Sequence, residues 1–183
     1  TEKFDCENFN VTCEVTPHHL ALTGTEEPNI RKLVNPPLRS EDDRLALIEA
    51  IMDGTVDVIS TDHAPHTADD KANGAPGFTG IETSYAVCNT ELVKKGYITA
   101  RKLSSLMSAN PARILKLNKG LIQPNYDADF TIVDRDGEWT VNPENFLSKG
   151  KSTVFEGAVL KGSVKAVILH GEIVFQKSVS SLS

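Results

Sequence analysis

The chain has 183 residues, of which 39 % are hydrophobic and 24 % charged, and its formal net charge is -6. This length suits one domain, or one domain with a small second one. The acidic balance argues against nucleic acid as a partner, because phosphate binding needs a basic surface. The sequence has no apolar run that approaches a membrane span and no secretory signal, so we expect no membrane association.

The cysteines Cys6, Cys13 and Cys88 are odd in number and lack metal-ligand spacing. We therefore expect reduced core thiols in a cytoplasmic protein, without disulfides or a zinc finger. The first residue is Thr1 rather than Met, which suggests processing or truncation.

The first predicted element is a strand over residues 11–16, which is rich in β-branched side chains and ends at Pro17. The doublet His18-His19 follows it. Adjacent histidines on a strand do not easily ligate one metal, so we interpret this pair as mainly structural. Residues 23–40 predict a long loop, because the successive prolines at its end exclude regular structure.

Ser40 and Asp43 have the spacing of a helix capping box, and Gly54 is placed to end that helix. Its predicted apolar face carries Leu45, Ile48 and Met52. A buried strand over residues 56–61 is predicted next. This α-then-β order places loop residues at the carboxyl end of the strand.

Residues 64–81 are rich in glycine and proline and predict a mobile or tightly turned loop. A helix is predicted over residues 82–95, with Gly96 as its end. One face of this helix carries Tyr85, Cys88 and Leu92.

Thr99 is placed to cap a third helix, whose apolar residues are Leu103, Leu106 and Met107. Asn110 followed by Pro111 predicts the start of a separate fourth helix that runs through Leu117.

The pattern changes to β-rich after this point, with strands predicted over residues 129–134, 164–169 and 173–176. A turn around residues 170–172 separates the last two. We predict a boundary near residues 118–124, which divides a barrel-type α/β segment (residues 1–120) from a β-rich segment (residues 121–183).

The most informative motif is Thr61-Asp62-His63-Ala64-Pro65-His66, at the end of the predicted strand. A carboxylate at a strand mouth can bind a metal and move a proton, so Asp62 is the candidate catalytic and metal-ligating residue. His66 lies in the same loop and is a candidate donor to an anionic substrate. On an extended backbone, the side chain of His63 points away from that of Asp62. His63 could act directly at the site or support it through packing or hydrogen bonds, and the sequence leaves both interpretations open.

Two further segments are candidates for substrate binding. Asn35 precedes two prolines, where a rigidly held amide suits recognition of a ring amide, although turn formation is the commoner use of asparagine there. Pro76 and Gly77 can offer backbone groups to a ligand, because glycine permits close approach.

Five segments together carry a family resemblance: Cys13–Leu20, Val34–Arg39, Thr61–His66, Pro76–Gly80 and Asn110–Leu115. In this order they resemble the C-terminal half of bacterial-type dihydroorotase, in the amidohydrolase superfamily of metal-dependent (β/α)8 barrels. Hydantoinases and allantoinases share the aspartate but usually lack the sequence motifs Thr-Asp-His-Ala-Pro-His and Asn-Pro-Pro-Leu-Arg.

The resemblance implies an α/β fold, the C-terminal part of such a barrel plus part of a flanking β-sandwich. It implies that Asp62 ends the eighth strand, binds zinc and shuttles the proton. Asn35 and His66 look like substrate contacts, and Pro76-Gly77 looks like the backbone contact to the ring.

The family's other metal ligands, a His-x-His pair, a bridging carboxylate and two later histidines, lie upstream of this chain's start. We therefore expect an incomplete and inactive fragment that needs the missing N-terminal half. We also expect a homo-oligomer, with aspartate transcarbamoylase as a further candidate partner.

The resulting expectation is a dihydroorotase, which cyclises N-carbamoyl-L-aspartate reversibly to L-dihydroorotate in pyrimidine biosynthesis and uses zinc. One alternative is a hydantoinase- or allantoinase-like cyclic amidohydrolase. Another is a catalytically inactive dihydroorotase-like partner of aspartate transcarbamoylase.

Overall fold

The computed structural model describes residues 11–24 and 32–177. Its elements in chain order are β1 (Glu14–Val15), α1 (Pro17–Ala21), α2 (Glu41–Asp53), β2 (Val58–Ile59), α3 (Ala68–Ala72), α4 (Ser84–Cys88), a π-helical segment (Asn89–Val93), α5 (Ala100–Ser104), a second π-helical segment (Ser105–Ala109), α6 (Asn110–Ile114), β3 (Phe130–Thr140), a 3-10 turn (Pro143–Asn145), β4 (Val159–Leu169) and β5 (Glu172–Gln176).

The first half of the described chain is an α/β unit built on a parallel strand pair. β1 lies beside β2, with Glu14 opposite Val58 and Val15 opposite Ile59. Parallel strands need a crossover connection, and α1 and α2 lie in it. Both strands are shorter than the predicted 11–16 and 56–61.

Helix α2 begins with the predicted capping box. The Ser40 side chain accepts from the Asp43 amide, and the Asp43 carboxylate accepts from the Ser40 amide. Gly54 ends the helix in the left-handed conformation, with φ 93°. The predicted apolar face was right at Ile48 but wrong at Leu45 and Met52.

The core face of α2 is rotated from the predicted one. Ile48 and Ile51 are buried, whereas Leu45 is 37 % and Met52 53 % exposed. The buried pair packs into a core cluster shared with β1, β2 and the later helices: Val15, Leu20, Ile48, Ile51, Val56, Ile59, Cys88, Leu92, Leu103 and Leu106.

The predicted helix over residues 82–95 is present as α4 and the π-helical segment that continues it. Cys88 and Leu92 are fully buried, and Tyr85 packs against the same cluster. Gly96 has φ 81° beyond the end of the helix, as its predicted role as a stop requires.

The prediction of a separate helix capped by Asn110 was wrong. Residues 100–114 form one helical run, which begins at the predicted Thr99 cap and ends at Ile114 rather than Leu117. The Asn110 amide bonds to the Ser105 carbonyl five residues back, so a widened turn precedes Pro111, which has no N–H to donate. The Asn110 side chain donates instead to the Asp57 carbonyl, at 2.8 Å.

The predicted loop over residues 64–81 contains the short helix α3. A second capping box starts it, because the Thr67 and Asp70 side chains each accept from the other residue's amide. The Thr-x-x-Asp spacing was a signal that the surrounding glycines and prolines obscured.

The end of the described chain is an antiparallel sheet in the order β3-β4-β5. All three predicted strands are present, and β3 and β4 each extend to 11 residues. The predicted turn joins β4 to β5 through His170 and Gly171, whose φ values of 51° and 82° suit a tight hairpin.

A second core cluster joins this C-terminal region to the loop that follows β2. It consists of Val34, Phe78, Ala86, Val87, Val141, Phe146, Phe155 and Leu160. Phe78 therefore packs between the α/β unit and residues 141–160.

The cysteine expectation holds in part. Cys88 is buried, and burial raises the pKa of its thiol well above the usual range. Cys13 is exposed, so its prediction as a core thiol was wrong, and Cys6 lies outside the described residues. No helix in the described ranges is long and apolar enough to cross a membrane.

Candidate active site

Asp62 lies just beyond the carboxyl end of β2, where its side chain is 44 % exposed. Its φ of 48° is left-handed, which is uncommon for a residue with a side chain and is found often at functional turns. His18 Nε2 lies 3.9 Å from Oδ2 of its carboxylate.

His18 is buried beside this carboxylate and has an unsatisfied ring nitrogen. It lies on helix α1, which starts at Pro17 after the Thr16 cap, in a segment where no helix was predicted from the sequence. The residue is 2 % exposed, and its Nε2 has no hydrogen-bond partner among the described residues. Burial, and to a lesser degree His19, lowers the pKa of His18 to about 4. The ring is therefore neutral near pH 7.

His19 connects α1 to the turn that carries Asn35. A carbonyl only accepts, so His19 Nε2 donates to Pro36 O at 3.1 Å, and Nδ1 is left to accept from the Thr16 hydroxyl at 2.6 Å. The Asn35–Pro36 peptide bond is cis, and Asn35 is exposed.

His63 faces the backbone of the segment that precedes α4. Its Nδ1 accepts from the amides of Gly80 and Ile81, at 3.3 and 3.4 Å. This nitrogen is therefore unprotonated in the neutral ring, and its contacts fit the supporting role that the sequence left open.

His66 is half-buried, and its ring is held by the backbone at the predicted ring-contact segment. Nε2 donates to the Pro76 carbonyl at 2.8 Å. The structure thus brings together two of the predicted substrate-binding positions. With Nε2 protonated, Nδ1 is the remaining ring atom available to a ligand.

Gly77 is required where the loop returns past Ala64. It has φ 107°, and a Cβ there would lie 2.6 Å from Ala64 Cβ and 3.5 Å from His66 Nε2. Its amide donates to Leu33 O at 2.8 Å, which links this loop to the segment before Asn35.

The C-terminal region supports the same loop, which the sequence did not reveal. Gly150 packs so closely on it that an added Cβ would lie 2.8 Å from Pro65 Cβ and 3.0 Å from the His66 amide nitrogen. The buried Thr79 hydroxyl donates to Gly150 O at 2.6 Å, and the Thr79 amide donates to Ser152 O at 2.8 Å.

The atoms around Asp62 fit part of a metal site. A carboxylate oxygen suits zinc, and the adjacent buried nitrogen of His18 needs a polar partner. Within residues 11–24 and 32–177, no group of three or more His, Cys, Asp or Glu side chains is arranged to hold a metal ion. The described residues therefore fit one metal-ligating carboxylate and not a full ligand set.

Comparison with known sequences finds one family and a consistent set of relatives. The profile of the amidohydrolase family matches residues 8–174. A dihydroorotase from Clostridium botulinum is 46 % identical over 93 % of this chain and 42 % of its own length. A dihydroorotase from Brevibacillus brevis is 45 % identical over 91 % of this chain and 41 % of its own length. The chain thus spans about two fifths of the relatives it matches.

Solved structures of a hydantoinase and a dihydropyrimidinase share the fold. An L-hydantoinase from Arthrobacter aurescens superposes with a TM-score of 0.85 at 30 % identity, over 91 % of this chain and 40 % of that one. A dihydropyrimidinase from Brevibacillus agri also gives 0.85, at 26 % identity over the same shares.

Proposed function

Because the chain belongs to the amidohydrolase family, we propose that it is the C-terminal part of a dihydroorotase. The reaction is the reversible ring closure of N-carbamoyl-L-aspartate to L-dihydroorotate in pyrimidine biosynthesis. The observation that carries this proposal is the identity of 45–46 % to proteins named dihydroorotase over nine tenths of the chain.

We further propose that residues 1–120 supply the last strands of a (β/α)8 barrel and residues 121–183 part of a flanking β-sandwich. The parallel pair β1-β2 and the antiparallel sheet β3-β4-β5 support this division. In such barrels the chemistry occurs at the carboxyl ends of the strands, and Asp62 follows the carboxyl end of β2.

The cofactor of this proposal is zinc, with Asp62 as one of its ligands. A bound zinc ion lowers the pKa of water and polarises a carbonyl. When the water oxygen bonds to the ring carbonyl carbon, Asp62 accepts the proton that the water loses. It returns that proton to the ring nitrogen as the C–N bond breaks, which gives N-carbamoyl-aspartate.

Substrate is held by the loop after Asp62 and by the Asn35 turn. His66 Nδ1 faces the substrate carboxylate and donates when the ring is protonated, because Nε2 is already bonded to Pro76 O. Pro76 and Gly77 offer backbone groups to the ring, and Asn35 offers its amide. Fixed donors act here by orienting the ring amide toward water.

A second candidate function is hydrolysis of a hydantoin or a dihydropyrimidine. Its support is the superposition on L-hydantoinase at 30 % identity, which is lower than the identity to the dihydroorotases. Those substrates lack the carboxylate of dihydroorotate, so the His66 loop distinguishes the two functions chemically.

Turnover by the complete protein that carries this chain tests the proposal. L-dihydroorotate, hydantoin, dihydrouracil and allantoin are assayed side by side, with and without a zinc chelator. We expect kcat/KM to be highest for dihydroorotate and to fall on chelation. A preference for hydantoin would support the second function, and no turnover of any substrate would support the inactive scaffold that associates with aspartate transcarbamoylase.

The assembly is part of the same proposal. We propose a homo-oligomer of the complete protein, with aspartate transcarbamoylase as a further candidate partner. Light scattering of the purified protein with and without aspartate transcarbamoylase measures both.

A further inference from the structure

Lys71 is a buried lysine whose ammonium binds backbone carbonyls. It lies on α3, and the residue is 4 % exposed. Its Nζ donates to Ala75 O and Gly77 O, each at 2.8 Å, and to Leu33 O at 3.4 Å. An ammonium has three N–H donors, so these three acceptors account for all of them.

Within the described part of the chain, no carboxylate neutralises the charge of Lys71. None of the described Asp and Glu side chains forms an ion pair with it, and burial lowers the pKa of its ammonium. A buried ammonium is costly unless its hydrogen bonds are complete. The cost is offset here only as long as the three carbonyls keep their present arrangement.

Those carbonyls belong to the two segments that carry the candidate substrate contacts. Ala75 and Gly77 flank Pro76, whose own carbonyl holds the His66 ring. Leu33 lies two residues before Asn35, and its carbonyl also accepts from the Gly77 amide. One ammonium therefore joins the turn before Asn35 to the turn at Pro76-Gly77.

We propose that Lys71 is a positioning residue for substrate binding, which fixes the Pro76-Gly77 turn and, through it, the His66 ring. This inference rests on the proposed function, because it takes these two turns to face the substrate. Lys71 itself does not touch the substrate. It aligns groups that do, so its removal weakens binding more than it slows the chemical step.

The first test compares Lys71→Met, Lys71→Arg and the exposed control Lys149→Met in the complete enzyme. We expect Lys71→Met to raise KM for dihydroorotate about tenfold while kcat stays within about threefold. Lys71→Arg keeps the charge and donors and is expected to recover part of the loss. Lys149→Met is expected to match wild type. If Lys71→Met does not accumulate, Lys71→Gln, which keeps two N–H donors, takes its place.

A double-variant cycle with His66→Ala separates positioning from general destabilisation. If Lys71 acts through the His66 ring, Lys71→Met raises KM much less in the His66→Ala background than in wild type. Additive effects on KM, or a fall in kcat at unchanged KM, would overturn the proposal.

Hydrogen exchange gives a readout that needs no turnover. The amide of Gly77, bonded to Leu33 O, is expected to exchange faster in Lys71→Met, with the change concentrated in residues 64–80. Unchanged exchange there would also overturn the proposal. Because this measurement is independent of catalysis, an enzyme that does not process dihydroorotate would refute the proposed function without deciding the role of Lys71.

Discussion

The two sides of the candidate site differ in how completely their polar groups are satisfied. The site loop, defined here as residues 63–80, has its histidine rings, its glycine turn and its buried lysine bonded to backbone groups. The pair formed by Asp62 and His18 lacks such partners. Its carboxylate is exposed, and the buried His18 Nε2 is unsatisfied within the described residues.

Under the proposed function, this difference separates the groups that would recognise the substrate from those that would carry out the chemistry. Bonded and buried groups hold one geometry before a ligand arrives, which suits recognition. An exposed carboxylate next to an unsatisfied buried nitrogen suits a position that a metal or further residues complete. Under that proposal, the described residues supply a formed recognition side and one carboxylate of the catalytic side.

Replacement of the catalytic carboxylate tests the difference most severely. In the complete enzyme, Asp62→Asn keeps the size of the side chain but cannot accept the proton. We expect kcat to fall by about 10³-fold or more, measured by the absorbance change of dihydroorotate. Near-normal turnover would remove Asp62 from the mechanism.

Replacement of His66 affects the recognition side. Loss of a charged hydrogen bond to the substrate carboxylate predicts that His66→Ala raises KM about 10- to 100-fold, with a smaller fall in kcat. Steady-state kinetics on dihydroorotate measure both constants. An unchanged KM would mean that this ring does not contact substrate.

The glycine turn offers a sterically controlled test. Gly77→Ala places a Cβ 2.6 Å from Ala64 Cβ at φ 107°. We expect a loss of roughly 1–3 kcal/mol in unfolding free energy, together with a raised KM. Gly74→Ala is the matched control, because Gly74 has φ 85° with nothing within 4 Å. Equal losses in both variants would show that close packing at Gly77 has no effect.

The smallest effect is expected from the C-terminal sheet, away from both sides of the site. Asp129 accepts from the His170 amide at 2.8 Å and from Lys119 at 2.5 Å, and these bonds lower the pKa of its carboxyl. Its stabilisation is therefore present above the unfolded pKa and is lost as pH falls through the lower folded pKa.

Thermal unfolding at about pH 7 and at about pH 3 measures this contribution. Asp129→Asn is expected to lower the midpoint slightly at the higher pH, and its difference from wild type is expected to narrow at the lower one. KM is expected to stay unchanged. A shift in KM would connect this sheet to the recognition side.

Local sequence signals predicted the starts of two helices correctly. Ser40 and Thr99 act as the expected caps because capping depends on a side chain and an amide three residues apart. The long antiparallel strands were also found, since alternating and β-branched residues dominate them.

The errors in the predicted α2 face and in the predicted helix start at Asn110 arise from tertiary packing, which local sequence patterns do not specify. Leu45 and Met52 fit a helical stripe, but the core lies against Ile48 and Ile51. The dipeptide Asn110-Pro111 looks like a helix start, yet a π-helical segment carries the helix through it.

The candidate site residues could be selected from sequence motifs, but the burial and contacts of the residues around them could not be predicted. Asp62, His66 and Gly77 could be selected from residue type and order. Lys71 could not, because a lysine in a polar loop carries no signal that it will bind three backbone carbonyls. The burial of His18 was hidden for a similar reason, since it depends on helix α1, which was not predicted from the sequence.

Whether the site loop recognises substrate without the catalytic carboxylate is measured by equilibrium binding of dihydroorotate. The proteins compared are zinc-loaded Asp62→Asn and the double variant Asp62→Asn/His66→Ala. Both proteins lack the catalytic carboxylate, so binding is measured without turnover. We predict that Asp62→Asn still binds dihydroorotate and that the double variant binds it at least about tenfold more weakly. Equal dissociation constants, or no binding to Asp62→Asn, would contradict a recognition side that is formed independently of the catalytic one.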